Sequence, residues 1–401
     1  MKFLLVTQYF YPENFKCNDI AFELQRRGHE VTVITGIPNY PDGKYFKGYG
    51  LCNRRKEIIN GVKVERSILV SRGGGGGIRL ALNYLSFALF ASIRAMRLAL
   101  TKRYDAILVH EVSPITVGIP AVIAKKIQKI PLHFWVLDLW PESLTAAGGV
   151  TNRKILSFFE KITKWIYKNS TTLLIGSKGY RKSINEKGDF NQKIIYFPNW
   201  VENQLKSNNS DQFSIPEFPS GFNIVIAGNM GDAQDLPNVM EAAKILKGEN
   251  LNFIFVGDGR KREFVEQFSK ENDLKNQIFC LGRFPLEAMP TIFNEADILF
   301  MALKDQPIFS MTVPSRLQAY MSSGKPIVAM INGEGADLIK EANCGWSVEA
   351  ENPKALADLL LTLSKEKTDI LKEKGRNGQR FSEENFNFKR CMDNLEKIID
   401  N

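Results

Sequence analysis

Residues 3–35, FLLVTQYFYPENFKCNDIAFELQRRGHEVTVIT, decide the fold. They open with an apolar run at 3–7 and close with a second at 31–35, each the length of a buried strand. Between the two, NDIAFELQRRGHE places apolar residues at 20, 21, 22 and 24, on one side of a helix. Arg26 and Arg27 followed by Gly28 form a stop signal, with basic side chains near the terminal carbonyls and a glycine beyond them. Strand, helix and strand at this spacing predict a parallel pair joined by a crossover. The run FLLV is too short for the apolar core of a secretion signal and reads as the first strand.

The alternation continues outward. Further strands are predicted at 62–70, 106–110, 132–137, 172–177 and 194–198. Residues 201–221 are polar, contain two prolines and read as a linker or surface loop. The pattern then restarts, with strands at 223–227, 252–256, 278–281, 297–302 and 326–330 and helices near 236–247, 260–270, 286–294 and 315–323. The closing stretch FSEENFNFKRCMDNLEKIID, 381–400, is predicted as one helix with an apolar stripe. Two doubly wound α/β units in series are expected, since 401 residues exceed what one core usually supports.

Five cysteines stand far apart with no CxxC pair, and the three histidines are dispersed. That pattern argues against a disulfide framework and a metal centre, and fits a reducing, cytoplasmic setting. The net charge of +9 is uneven: residues 1–200 hold 30 Lys and Arg against 14 Asp and Glu, and residues 201–401 hold 23 against 30. A basic first half points to an anionic partner, nucleic acid or anionic lipid. No aromatic-basic motif of nucleic-acid binders is found.

Residues 78–100, IRLALNYLSFALFASIRAMRLAL, are very apolar, and the uncharged stretch 80–93 is 14 residues long. A bilayer span needs about 20. Arg72, Arg79, Arg94, Arg97, Lys102 and Arg103 surround the stretch. Two readings stay open: a basic apolar helix lying in a lipid interface, or a core helix with arginines at its exposed ends. The GGGGG at 73–77 reads as a mobile loop.

In an α/β unit, ligands bind outside the carboxyl ends of the strands. In the second half, AGNMGDAQ puts Gly228 and Gly231 ahead of a helix, where backbone amides can approach a phosphate. SMTVPSRLQAYMSSGKP places Pro314 in a first helical turn, with Ser310, Thr312 and Ser315 as caps and Gly324 as the stop. A diphosphate at that terminus is balanced by Lys304 and Arg316; the plainer reading is a capped helix with a solvated lysine. In the first half, Asp138 and Glu142 flank a Trp-Pro turn at a strand end. Either can accept a proton or bind a sugar hydroxyl, and either can cap the following helix. His110 reads equally as a packed residue and as a ligand contact.

LVTQYFYPEN, ELQRRGHEVTVITGIPNYP, DLWPES, PNWVEN, AGNMGDAQ, VGDG, LGRF and TVPSRLQAYMSSGKPI occur in this order. Together they resemble family 4 retaining glycosyltransferases of the GT-B fold, over essentially the whole chain. The subgroup resembled acts in bacterial O-antigen and capsule assembly and is similar to the N-acetyl-L-fucosamine transferases.

The resemblance implies two Rossmann-like domains facing a cleft: an acceptor domain at 1–200, a nucleotide-sugar domain at 201–382, and a final helix, 383–401, that packs back on the first. It implies a UDP-linked sugar as co-substrate, no metal, and a lipid-linked (polyprenyl diphosphate) glycan acceptor at the inner face of the cell membrane. Arg283 and Phe284 are implied at the base. The turn of Gly228, Asn229, Gly231 and Asp232, with Arg260 and the stretch Ser310, Met311, Thr312, Val313, Pro314, Ser315 and Arg316, is implied at the diphosphate and sugar. Tyr11, Pro12, Asn14 and His110 are implied on the acceptor side, with Asp138, Lys304 and Glu142 as catalytic candidates.

The chain departs from the wider family pattern. Two glutamates spaced by seven residues fall on Met311 and Ala319, and an Arg and a Lys that neutralise the diphosphate fall on Asn229 and Gln234. Lys304, Arg260 or Arg316 then has to supply the charge. A nucleotide-sugar epimerase of similar fold and a catalytically inactive assembly scaffold are the competing readings.

Overall fold

The computed structural model describes residues 1–74, 76–146, 149–202, 205 and 213–400. They form two compact units, one of Met1–Phe197 with Met392–Asn401 and one of Pro198–Cys391. The expected linker, 201–221, falls in part on 203–204 and 206–212, and the GGGGG stretch in part on Gly75, all outside the described residues.

Among the described residues, the first unit carries an eight-stranded sheet. Its strands are β1 (Lys2–Val6), β2 (Glu30–Gly36), β3 (Lys56–Ile59), β4 (Val62–Ser67), β5 (Ala106–Glu111), β6 (Leu132–Val136), β7 (Thr172–Ile175) and β8 (Ile194–Tyr196). They lie in the order β3-β4-β2-β1-β5-β6-β7-β8, all parallel except β3 against β4. A parallel sheet covered by helices on both faces must be apolar on both, so β1 is a continuous run: Phe3, Leu4, Leu5 and Val6 are all buried. Leu5 pairs with Val33 on one side and Leu108 on the other. The helix Lys16–Arg26 stops where the sequence says it should. Gly28 sits at φ +88° and the His29 amide reaches back to the Leu24 carbonyl at 3.1 Å.

The helix Gly77–Thr101 is longer than its uncharged stretch. It buries Phe87, Ala91, Ala95 and Leu98 and packs on the helix Gly118–Gln128 and on β2 and β4.

The second unit carries β9 (Phe222–Ala227), β10 (Leu251–Val256), β11 (Ile278–Gly282), β12 (Ile298–Ala302), β13 (Ile327–Met330) and β14 (Gly345–Val348). All are parallel, in the order β11-β10-β9-β12-β13-β14. Phe253 and Phe255 face one core layer with Val239 and Met240; Ile254 and Leu299 face the other with Ile292 and Tyr320.

The closing stretch is two helices, Thr368–Asn385 and Phe388–Asp400, where one was expected. Phe386 leaves helical geometry at φ −120° and is fully buried, with its carbonyl bonded to the Val201 amide at 3.1 Å. The Asn387 side chain then accepts from the Arg390 amide at 3.3 Å and starts the last helix. Only 392–401 of that segment belongs to the first unit. There Arg27 bonds Asp393 at 2.7 Å and Glu396 at 2.5 Å, and His29 meets Glu396 at 2.8 Å.

Candidate active site

In the second unit the winding direction reverses between β9 and β12. The loops that follow them, 228–235 and 303–314, diverge to opposite faces and leave an opening at the carboxyl edge. Two bonds tie the loop 228–235 to the other side, one to the loop 303–314 and one to the helix Ser315–Ser322 that follows it. The Lys304 amide donates to the Ala233 carbonyl at 3.0 Å, and the Arg316 guanidinium donates to the Asn229 carbonyl at 3.3 Å. Tyr320, buried beneath, holds the helix Ser315–Ser322 in place: its hydroxyl accepts from the Ala227 amide at 2.8 Å and lies 3.3 Å from the Phe300 carbonyl.

Glycine is required where these loops touch. Gly228 has φ +123°, and a β-carbon there would lie 2.6 Å from the Arg316 guanidinium. One on Gly257 would lie 2.0 Å from the Gly228 carbonyl oxygen. Gly231 starts a short turn in which its amide donates to the Gln234 side chain at 2.9 Å.

The helix at Pro314 is not capped as expected. Ser310 and Thr312 donate back into the preceding turn Pro307–Ser310, to the Gln306 and Ile308 carbonyls at 3.4 and 2.7 Å. Pro314 itself takes the capping position and offers no side-chain hydrogen bond to the first turn, Ser315 onward. First-turn amides without an internal partner suit an anion. Met311 is half-buried, as are Val313 and Phe284, which pack against the core layer around Ile292. Arg283 bonds Asp258 at 3.2 Å while staying exposed, and Arg260 is exposed. Lys261, which the sequence reading passed over for its neighbour, lies 3.4 Å from Asp232.

In the first unit the winding reverses between β1 and β5. Thr7, just past β1, meets His110 Nδ1 at 3.4 Å. His110 is buried against Trp135 and Phe15, and burial pushes its pKa down to about 3, so the ring is neutral. A buried ring of this kind supports the site; it is not a surface contact. Tyr11 and Asn14 are exposed, Pro12 is half-buried behind a cis peptide bond, and the Tyr11 carbonyl accepts from Arg66 at 2.6 Å.

Asp138 sits half-buried past β6 and accepts from the Ser143 hydroxyl; burial raises its pKa. Glu111, missed from sequence although it adjoins His110, is fully buried and accepts the Asp138 amide at 3.3 Å. Burial, and then the charge of Asp138, hold Glu111 well above the carboxylate range. Glu13 is also buried and raised to about 7 by desolvation, against the pull of the Asn39, Tyr40 and Phe10 amides it accepts from. Glu142 faces elsewhere. Its carboxylate is held by the Lys187 ammonium and by the Ser183 hydroxyl at 2.6 Å, which makes it a strut between helices. No group of three His, Cys, Asp or Glu placed to hold a metal ion lies among the described residues.

Residues 16–200 match the family described as glycosyl transferase 4-like domain, and residues 208–381 match glycosyl transferases group 1. WbjE of Pseudomonas aeruginosa, named as a glycosyltransferase, is 26% identical over 237 residues, 56% of this chain and 58% of that protein. WcaI of Escherichia coli K12, named for colanic acid biosynthesis, is 24% identical over 319 residues, 75% of each chain. The fold is shared with Anabaena HepE, solved in complex with UDP, at a TM-score of 0.70 and 14% identity over the whole of both chains. Each of the two units thus carries one matched glycosyltransferase model, and the two Rossmann-like sheets share the GT-B fold.

Proposed function

We propose that the protein transfers a sugar from a UDP-linked donor, with retention of anomeric configuration, to a lipid-linked glycan in bacterial surface-polysaccharide assembly. The observation that carries this is the pair of bonds across the second unit's opening. They bring the Lys304 backbone and the Arg316 guanidinium beside the glycine turns and the start of the helix Ser315–Ser322, which supports a pyrophosphate site there. UDP in the HepE structure and the naming of WcaI for a surface polysaccharide support the donor and the pathway class. The resemblance to N-acetyl-L-fucosamine transferases supports an N-acetylated deoxy- or aminosugar, and the protein would work as a peripheral membrane protein on the cytoplasmic side.

In this chemistry the bond from the anomeric carbon to the diphosphate breaks and the acceptor hydroxyl attacks from the same face. Its proton passes to the departing diphosphate. Lys304, Arg316 and the amides of Ser315 and Arg316 stabilise the charge that grows on the leaving group. Asp138 orients the acceptor hydroxyl, and Glu111 positions Asp138 through the backbone amide.

The test is a panel of nucleotide sugars scored for protection against thermal unfolding, followed by determination of the product's anomeric configuration. At least one UDP-sugar is expected to raise the melting temperature and to yield a product of unchanged configuration. Protection by no nucleotide sugar, or an inverted product, overturns the proposal.

A further inference from the structure

The helix Gly77–Thr101 is apolar on the side it buries and also on the side it shows to solvent. Leu82, Leu85, Leu89, Ile93, Met96 and Leu100 recur every three or four residues along one exposed face, and each is between 45 and 71% exposed. The opposite face, with Phe87, Ala91 and Ala95, is committed to packing, so the helix is held along the unit's surface and does not cross a bilayer. A soluble protein leaves such a continuous stripe bare only where something covers it.

The helix Arg153–Asn169 presents a second exposed apolar surface on the same unit, with Ile155, Phe158 and Trp165. A chain of ring contacts joins the two helices: Tyr84 to Trp140 at 6.5 Å, Trp140 to Phe159 at 5.2 Å, and Phe159 to Phe158 at 5.5 Å.

Charge identifies what covers the patch. The helix Gly77–Thr101 has no acidic residue, and on Arg153–Asn169 the one acid, Glu160, is paired with Lys164 at 2.8 Å. Exposed Arg79, Arg97, Lys102, Lys154, Lys161 and Lys168 rim the apolar surface. At the far end of the stripe a cavity of about 90 Å³ is lined by Lys56, Arg94, Arg97 and Lys102, with Glu65 as its one acid. Glu65 is engaged by Arg94 and lies 3.9 Å from Lys56, leaving Arg97 and Lys102 without an acidic partner in the lining.

We propose that this face seats the protein on an anionic bilayer, with the apolar stripe sunk among the acyl chains and a lipid phosphate in the Arg97–Lys102 cavity. Interfacial helices bind by this pairing of buried apolar area and basic rim. The face adjoins the acceptor side of the first unit. Asn83, between Leu82 and Leu85 in the chain, accepts from Gln8 at 2.7 Å, one residue past Thr7. A lipid-borne acceptor would therefore arrive from the surface on which the helix lies. This last step rests on the proposed lipid-linked acceptor; the binding itself does not.

The experiment is flotation of the full chain with vesicles of phosphatidylcholine alone and of phosphatidylcholine with phosphatidylglycerol. The expected result is salt-sensitive binding to the anionic vesicles. The double variant Arg97→Gln/Lys102→Gln should weaken it by roughly tenfold or more. Leu85→Ser/Leu89→Ser should weaken it by roughly tenfold as well, without changing its salt sensitivity. Arg94 is left alone, because its bond to Glu65 makes its loss a folding lesion. Absence of vesicle binding by the wild type, equal binding to both vesicle types, or binding untouched by either double variant overturns the proposal. Protection of all three proteins by a UDP-sugar, read alongside, keeps a failed membrane face distinct from a failed glycosyl-transfer reading.

Discussion

Arg316 fills the space in front of Gly228 that any side chain would need, with its guanidinium 2.6 Å from where a β-carbon would stand. Gly228→Ala should therefore do two things at once: strain a backbone at φ +123° and push Arg316 off the Asn229 carbonyl. Donor affinity should fall by roughly tenfold or more, read as lost protection by nucleotide sugar in thermal unfolding. Equal protection of variant and wild type would mean that Arg316 does not serve the donor.

Lys304→Ala and Asp138→Asn should each reduce turnover by about tenfold or more while leaving the unfolding transition cooperative. Lys304 should act through the donor side and Asp138 through the acceptor. Steady-state kinetics at saturating levels of each substrate separates them. A near wild-type rate in either variant removes that residue from the mechanism.

Glu142 should behave as a structural residue. Lys187 has only 6% of its side chain exposed, and Glu142 is its ion-pair partner. Glu142→Gln leaves that ammonium short of a countercharge, and should cost about 1–3 kcal/mol in chemical denaturation. The KM for donor should not move. A fall in turnover with unchanged stability would return Glu142 to the catalytic list.

His110 gives stability a pH dependence of known sign. Its ordinary pKa of 6.5 falls to about 3 in the fold. Below pH 6.5 the unfolded chain takes up a proton that the folded chain refuses, so stability is lost as the pH falls toward 3. Each such proton contributes a slope of about 1.4 kcal/mol per pH unit. His110→Gln should flatten the acid limb of a stability-against-pH curve relative to wild type. Glu13, raised to about 7, acts with the opposite sign and cancels in that comparison. Parallel acid limbs would show that His110 titrates normally.

The parallel strands were legible because each is a short, unbroken apolar run between turn residues, and the helix stop at Gly28 because its cap chemistry is local. What escaped lacked such a run or was passed over. β3 reads KEII, an edge strand with Lys56 and Ile58 exposed and no residue fully buried, so it holds no apolar run. The signal for it was present. Asn60-Gly61 between β3 and β4 takes positive φ at both positions, 48° and 83°, as a two-residue hairpin demands. β14 holds only GWSV, too short to stand out.

The candidate site divides the same way. Gly228, Pro314 and Arg316 announce themselves by residue type at a strand end. Glu111 and Glu13 do not, because a buried carboxyl reads as a surface one until its neighbours are known. The caps expected at Ser310 and Thr312 are not legible in sequence because each hydroxyl instead donates to a carbonyl one turn back, Gln306 and Ile308.

The return of residues 392–401 to the first unit also fixes an order of assembly. Arg27 waits for Asp393 and Glu396, which leave the ribosome only after the whole second unit has been made. The first sheet can form early, but one of its helices must stay half-anchored until the chain is nearly finished. A fragment ending near residue 200 would carry that deficiency permanently, so a first unit prepared by simple truncation is a poorer folder than its size suggests.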